Sequence, residues 1–323
     1  MMTNRDAASL EAGRAFGTAE SDDERELEAA LAEITPWRGR ILGYSPVLGG
    51  ISNTNWRIVV AGEQGAFFLK MPGRGTEMFI DRGAAFDASR RAQAIGIGPR
   101  IYEYLAHRGI EITDFITGRR PCSNADFGDP DIRASAVATY RVFNDSGLLP
   151  LTKTVFDMID EHVDQAQSLG GASPPDAAWL FKQYRLARAA LEASGIDMVP
   201  CFNDPMPGNF MLGVDKSIML IDYEYSSNND RCYDLGVWCG EMFFSEDIEA
   251  EIIEAYFGRF DPAMKARLVV HKALADIKWS TWAMVQSKIS TLDFDFFKYG
   301  AWKHMRARSV MRDPRWVDYL RQV

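Results

Sequence analysis

Asp204 and Asn209 lie five residues apart in Pro200-Cys201-Phe202-Asn203-Asp204-Pro205-Met206-Pro207-Gly208-Asn209-Phe210. Pro205 and Pro207 break any helix across this stretch, so the two polar side chains cannot share a helix face. A loop of this composition can instead hold both toward one point. Thirteen residues beyond Asn209 comes Asp222, in Leu220-Ile221-Asp222-Tyr223-Glu224. It is an acid at the end of a short apolar run that reads as a buried strand. Phosphoryl transfer needs a base to orient the attacking hydroxyl, and oxygen ligands for Mg2+ near the phosphates. Asp204, Asn209 and Asp222 supply both. Without Asp222, the loop is equally compatible with an ordinary Asx-turn.

Two further groups carry chemistry. Lys278-Trp279-Ser280-Thr281-Trp282 places two tryptophans at i, i+3 on one helix face, Tyr299 falls on the following helix, and Glu241 follows Asp222 by nineteen residues. Two Trp, one Tyr and one Glu would make a box for an ammonium group, with ring faces for cation–π contact and a carboxylate for charge. A tryptophan pair at this spacing also serves plain core packing. Near the other end, Leu48-Gly49-Gly50-Ile51-Ser52-Asn53-Thr54-Asn55 lies between strands. Its glycines would let backbone approach phosphate, and Ser52 and Asn53 add donors; the alternative is a plain hairpin turn. Lys70 follows on the third strand, where it could serve phosphate or simply snorkel.

The run Asn203-Asp204-x4-Asn209 followed by Ile221-Asp222-Tyr223-Glu224-Tyr225 resembles the catalytic loop and metal-binding segment of the aminoglycoside phosphotransferase/choline kinase superfamily, relatives of the protein kinases. Trp279, Trp282, Tyr299 and Glu241 match the choline-site residues of the choline/ethanolamine kinases. The resemblance covers roughly 45–310 and is strongest from 198 to 300. It implies ATP and Mg2+ as cofactors, Asp204 as catalytic base, and Asn209 and Asp222 as metal ligands. It also implies Asp234 as an acid bracing the catalytic loop, and Gly49, Gly50, Ser52, Asn53 and Lys70 as nucleotide contacts. The expected acceptor is a small amino-alcohol, choline or ethanolamine. An aminoglycoside or sugar acceptor stays open, as does a catalytically impaired ammonium-binding protein. A homodimer is compatible with the family.

The pattern is broken at two positions. The family usually has His where this chain has Phe202, a residue that packs against the metal-binding segment; an aromatic ring can keep that packing. The helix after the phosphate lysine normally carries a Glu that pairs with it, and the alignment puts Ala85 there. Asp81, one turn earlier, is the expected substitute.

The elements that must position these residues divide in two. About one domain per 150 residues suggests two units in a chain of 323. After a loose, flexible tail over 1–20, Ser21 with Glu24 reads as the capping box of a first helix. Strands follow over 44–72, at 100–104 and at 111–115, with a helix over 80–95. From about 130 the spacing is helical, over 131–146, 151–168, 176–194, 246–258, 261–288 and 292–311. The expected fold is therefore α+β, a bilobal protein-kinase-like structure. A small antiparallel-sheet lobe over 21–117 would join a larger, mainly helical lobe over 118–323 at a hinge near Thr117-Gly118, with ATP in the cleft. A net charge of −9 argues against nucleic acid or an anionic membrane as partner. The four cysteines are scattered without metal spacing, and no apolar run is long enough to span a bilayer. The expected location is the cytoplasm, with the thiols reduced and mostly buried.

Overall fold

The computed structural model describes residues 13–40, 42–48, 53–73, 75–171, 173–290 and 292–323. Two compact units emerge, Met1–Gly118 and Arg119–Val323.

In the first unit, Ser21 caps helix α1 (Asp22–Glu33), with its hydroxyl accepting the Glu24 N–H and the Glu24 carboxylate returning to the Ser21 N–H. The helix buries Leu27, Ala30 and Leu31 against an antiparallel sheet. Its strands are β1 (Arg14–Ala15), β2 (Leu42–Val47), β3 (Asn53–Val60), β4 (Phe67–Pro72), β5 (Ile101–Leu105) and β6 (Ile110–Asp114), in the order β1-β2-β3-β4-β6-β5. Period-2 alternation sorts the faces. Phe67, Leu69 and Met71 of β4 enter the core with Trp37, Trp56, Ile58 and Ile112, while Phe68 and Lys70 point to the opposite face. The register sets Asn55 opposite Lys70, and Lys70 opposite Glu111.

Two expectations are corrected here. The tail is not loose from residue 13 onward. Arg14 and Ala15 pair with Tyr44 and Gly43, and the Arg14 guanidinium bridges Glu20 and Glu24 at 2.8 and 2.9 Å; residues 1–12 lie outside the described residues. Asp81 does not stand on the helix face as a carboxylate available to Lys70. It is the N-cap of α2 (Arg82–Ala94), and its side chain accepts the Ala84 N–H at 3.0 Å. An acid just before a helix serves the orphan N–H groups of the first turn. Phe86 of α2 stacks on Tyr104 of β5 at 3.8 Å, fixing the helix to the sheet.

The second unit holds β7 (Arg119–Pro121), α3 (Pro130–Asn144), α4 (Val155–Ser168), α5 (Ala177–Ser194), β8 (Met198–Cys201), β9 (Phe210–Gly213), β10 (Ile218–Leu220), β11 (Ser227–Asp230), α6 (Arg231–Glu241), α7 (Glu246–Phe257), α8 (Pro262–Ile289), α9 (Phe296–Met311) and α10 (Trp316–Gln322). Phe127, Tyr140, Phe210 and Trp238 form an aromatic cluster at its core. Helix α6 carries no readable stripe because it is buried on nearly every side. It also contains Gly236, where a Cβ would come within 2.9 Å of the Leu268 carbonyl, so α6 and α8 approach backbone to backbone. All four cysteines are buried free thiols. Among the described residues, no helix is long and apolar enough to cross a membrane.

Candidate active site

Two antiparallel pairings bring the polar loop and the downstream acid together. Asn209 ends just before β9 and Asp222 begins just after β10, and the β9–β10 hairpin sets Phe210 opposite Leu220. The thirteen-residue separation is therefore one short hairpin, and its two ends meet: the Ile221 N–H donates to the Asn209 carbonyl at 3.0 Å. Asp204 follows β8, which pairs with β11 so that Cys201 lies opposite Ser227. Both segments thus emerge at one place.

Within the loop the Asn209 amide Nδ2 donates to the Asp204 carbonyl at 3.0 Å and to its carboxylate at 3.3 Å. Asn203 (φ 65) and Asp222 (φ 69) adopt the left-handed conformation that costs non-glycine residues strain. Asn203 is held there by its neighbours. Its Nδ2 donates to the Tyr225 carbonyl and the Ser227 hydroxyl at 2.8 and 2.9 Å, while its Oδ1 accepts from Asn229 at 3.2 Å. Asp234, at the first turn of α6, accepts the N–H groups of Phe202 and Asn203 at 2.8 Å each and the Asn144 amide at 3.1 Å. Phe202, fully buried, meets Tyr223 edge to face at 5.3 Å and Phe210 at 6.4 Å. The ring packs against the segment that carries Asp222.

Burial, and then the charge of Asp222, pushes the Asp204 carboxyl well above the usual carboxylate range. Asp204, hydrogen-bonded by Asn209 and within electrostatic reach of Asp222, belongs to a set of oxygen donors of the kind a hard cation takes. Among the described residues no cluster of three or more His, Cys, Asp or Glu could hold a metal unaided. Asn209 and Asp222 carry the oxygen donors that a hard cation takes, and their backbones meet through the Ile221 N–H.

The aromatic residues also converge. Trp282 meets Trp279 at 5.5 Å, Tyr299 at 6.1 Å and Phe296 at 5.8 Å, all near edge to face. Tyr225 meets Trp279 at 5.3 Å. Glu241 stands at the end of α6, but its carboxylate is occupied: Lys303 bonds it, and Arg306 reaches it at 3.1 Å while also pairing with buried Asp276. Burial alone would raise the Glu241 carboxyl, yet the two cations outweigh it and hold it below its ordinary value. Tyr299, Lys303 and Arg306 stand at spacings of four and three on α9, one helix face, which sequence could have shown. Lys278 and Tyr225, which the sequence did not single out, also stand against Trp279.

In the first unit, Lys70 lies mid-strand and Asn53 opens β3. Gly49, Gly50 and Ser52 lie outside the described residues.

Known proteins share the family and the fold of this chain. Residues 44–255 match the family model of choline/ethanolamine kinase. A choline/ethanolamine kinase of Rattus norvegicus is 23% identical over 313 residues, covering 80% of this chain and 77% of the relative. The LicA protein of Haemophilus influenzae is 22% identical over 259 residues, covering 75% and 73%. Among solved structures, a choline/ethanolamine kinase family protein from Mesorhizobium loti superposes with a TM-score of 0.78 at 27% identity, covering 92% of this chain and 98% of that one. The aminoglycoside phosphotransferase APH(4)-Ia shares the fold at a TM-score of 0.61 and 14% identity, covering 89% and 98%. The matched span takes in the loop, the Asp222 segment and Glu241, and the chain belongs to the choline/ethanolamine kinase family of small-molecule kinases.

Proposed function

We propose that the chain transfers the γ-phosphate of ATP to the hydroxyl of a small amino-alcohol of the choline and ethanolamine class. The observation that carries this reading is the junction of Asp204, Asn209 and Asp222 at the ends of two antiparallel pairings, beside an aromatic cluster. Asp204 would accept the proton of the acceptor hydroxyl as its oxygen attacks the γ-phosphorus. Its half-buried position and raised proton affinity suit that role. Asn209 and Asp222 would hold Mg2+, which when bound supplies charge neutralisation at the phosphates. Lys70, Asn53 and the Gly49-Gly50-Ser52 turn are proposed to contact the nucleotide. Trp279, Trp282 and Tyr299 would line the acceptor's seat, with Glu241 at its edge.

ADP formation with a panel of amino-alcohols, aminoglycosides and sugars tests it. Turnover is expected with the amino-alcohols and is expected to be lost in Asp204→Asn, which keeps shape and removes proton acceptance. Undiminished turnover in that variant would overturn the role of Asp204. Turnover confined to aminoglycosides or sugars would overturn the acceptor class.

A further inference from the structure

Lys278 stands on α8 immediately before Trp279 and is fully buried. Its Nζ lies 3.0 Å from the centroid of the Trp279 ring and 4.3 Å from that of Tyr225. Among the described residues, no hydrogen-bond acceptor reaches it. The charges that bear on it are the attractive carboxylates of Asp204 and Glu241 and the repelling ammonium groups of Lys153 and Lys303. Two ring faces meet its amino group, and among the described residues no hydrogen-bond acceptor does. That is the mode by which a protein holds a quaternary ammonium, which has no N–H to donate. Lys303, by contrast, bonds the Glu241 carboxylate and stands 5.1 Å from the Tyr299 ring centroid.

We propose that Lys278 sets acceptor selectivity by occupying, with its own amino group, the Trp279 and Tyr225 faces that a quaternary ammonium would need, so that the site favours a primary amino-alcohol. This rests on the amino-alcohol reading above. A choline-type headgroup depends on ring faces almost entirely. Covering two of them removes its seat whether Lys278 is charged or neutral; a charged Lys278 would repel either ammonium, so the selectivity comes from the covered faces. A primary ammonium is smaller and has three N–H donors that carboxylate oxygens can satisfy. The carboxylate of Asp204 bears electrostatically on Lys278, and such an acceptor would sit beside it.

The test measures acceptor binding by calorimetry on the full chain with a non-hydrolysable Mg·ATP analogue. The proteins are the parent, Lys278→Met and Lys278→Leu; the ligands are ethanolamine, choline and the neutral isostere 3,3-dimethylbutanol. Thermal unfolding and analogue binding are measured in parallel. Both substitutions replace an unpaired buried amine with an apolar side chain and are expected to fold. The parent is expected to bind ethanolamine at least tenfold more tightly than choline. Both variants are expected to gain tenfold or more in choline affinity, with ethanolamine changing less than threefold. Choline bound equally by the parent and two folded variants would overturn the assignment of Lys278 and leave the amino-alcohol reading standing. Failure of choline and ethanolamine to bind any of the three proteins, with the analogue still bound, would overturn the amino-alcohol reading and this assignment with it. A gain for 3,3-dimethylbutanol equal to that for choline supports occupancy of the ring faces alone.

Discussion

The carboxylate of Asp234 accepts the backbone N–H of Asn203 at 2.8 Å, one residue before Asp204. The loop's conformation is therefore fixed from α6, across the core of the second unit. Asp234→Ala would leave two backbone N–H groups without their acceptor in a fully buried place and take from the Asn144 amide one of its two, the Pro200 carbonyl remaining. Each orphaned group costs about 1–3 kcal/mol, so denaturant unfolding is expected to show a loss of several kcal/mol. Parent-like stability in that variant would mean the loop is held by other contacts.

Asp234 also carries a pH signature. Burial pushes its carboxyl up to about 6, against the hydrogen bonds that favour the ionised form, whereas an unfolded aspartate titrates at roughly 3.9. With the folded value raised, the native state holds the proton more tightly than the unfolded chain. Stability therefore falls as pH rises from about 4 to about 6 and levels above. The stability gap between the parent and Asp234→Asn, which cannot titrate, is expected to shrink by on the order of 2 kcal/mol between pH 4 and pH 7. Denaturant melts at intervals across that range measure it, and a constant gap would place the carboxyl's titration outside the window.

Phe202 fills the position where the family usually carries histidine, and its ring touches Tyr223 and Phe210. Phe202→Ala is expected to cost about 3–5 kcal/mol, as for other buried aromatic truncations, and to loosen the Asp222 segment. Phe202→His keeps an aromatic face there, so turnover within a few-fold of the parent is expected. Loss of turnover as deep as in Phe202→Ala would show that hydrophobic filling, rather than ring packing, is what the position requires.

Lys70 and Glu111 face one another directly across β4 and β6, where cross-strand neighbours stand close enough for opposite charges to interact. Glu111→Gln is accordingly expected to raise the KM for ATP several-fold, while Ala85→Glu changes it little. Asp81→Ala should cost about 1 kcal/mol of stability as a lost N-cap and leave the KM unchanged. A higher KM for ATP in Asp81→Ala, with Glu111→Gln silent, would return the lysine's partner to the helix.

Glu241 is engaged by Lys303 and Arg306, so Glu241→Gln exposes two partly buried cations to the loss of their carboxylate. Removing one partner of such a group costs about 3–5 kcal/mol, and acceptor binding by that variant reads stability as much as recognition. Trp282→Phe is the cleaner probe. It keeps a ring face against Trp279 and Tyr299 and is expected to weaken the acceptor less than tenfold, with ATP affinity constant. An equal loss of ATP affinity would place Trp282 outside the acceptor's seat.

Local chemistry was legible in the residues themselves. Pro205 and Pro207 force Asp204 and Asn209 into a loop, Ser21 with Glu24 forms its capping box, and alternation along Phe67–Pro72 marks the buried face of β4. These follow from dihedral limits and periodicities that act within a few residues. The long helices of the second unit were visible for the same reason, whereas α6 was not, because a helix buried all round shows no stripe. What each charged side chain would find was decided only by the tertiary structure. Asp81 could be read as a partner for Lys70 until the helix began one residue later and took it as a cap. Glu241 could be read as an available carboxylate until α9 brought Lys303 and Arg306 against it. Lys278 was one of several charged residues along α8 until the fold brought Tyr225, from a segment far away in sequence, to the amino group that Trp279 also meets. A residue's type fixes which interactions it can make, but its partners come from segments tens of residues away, and only packing against those segments selects among them.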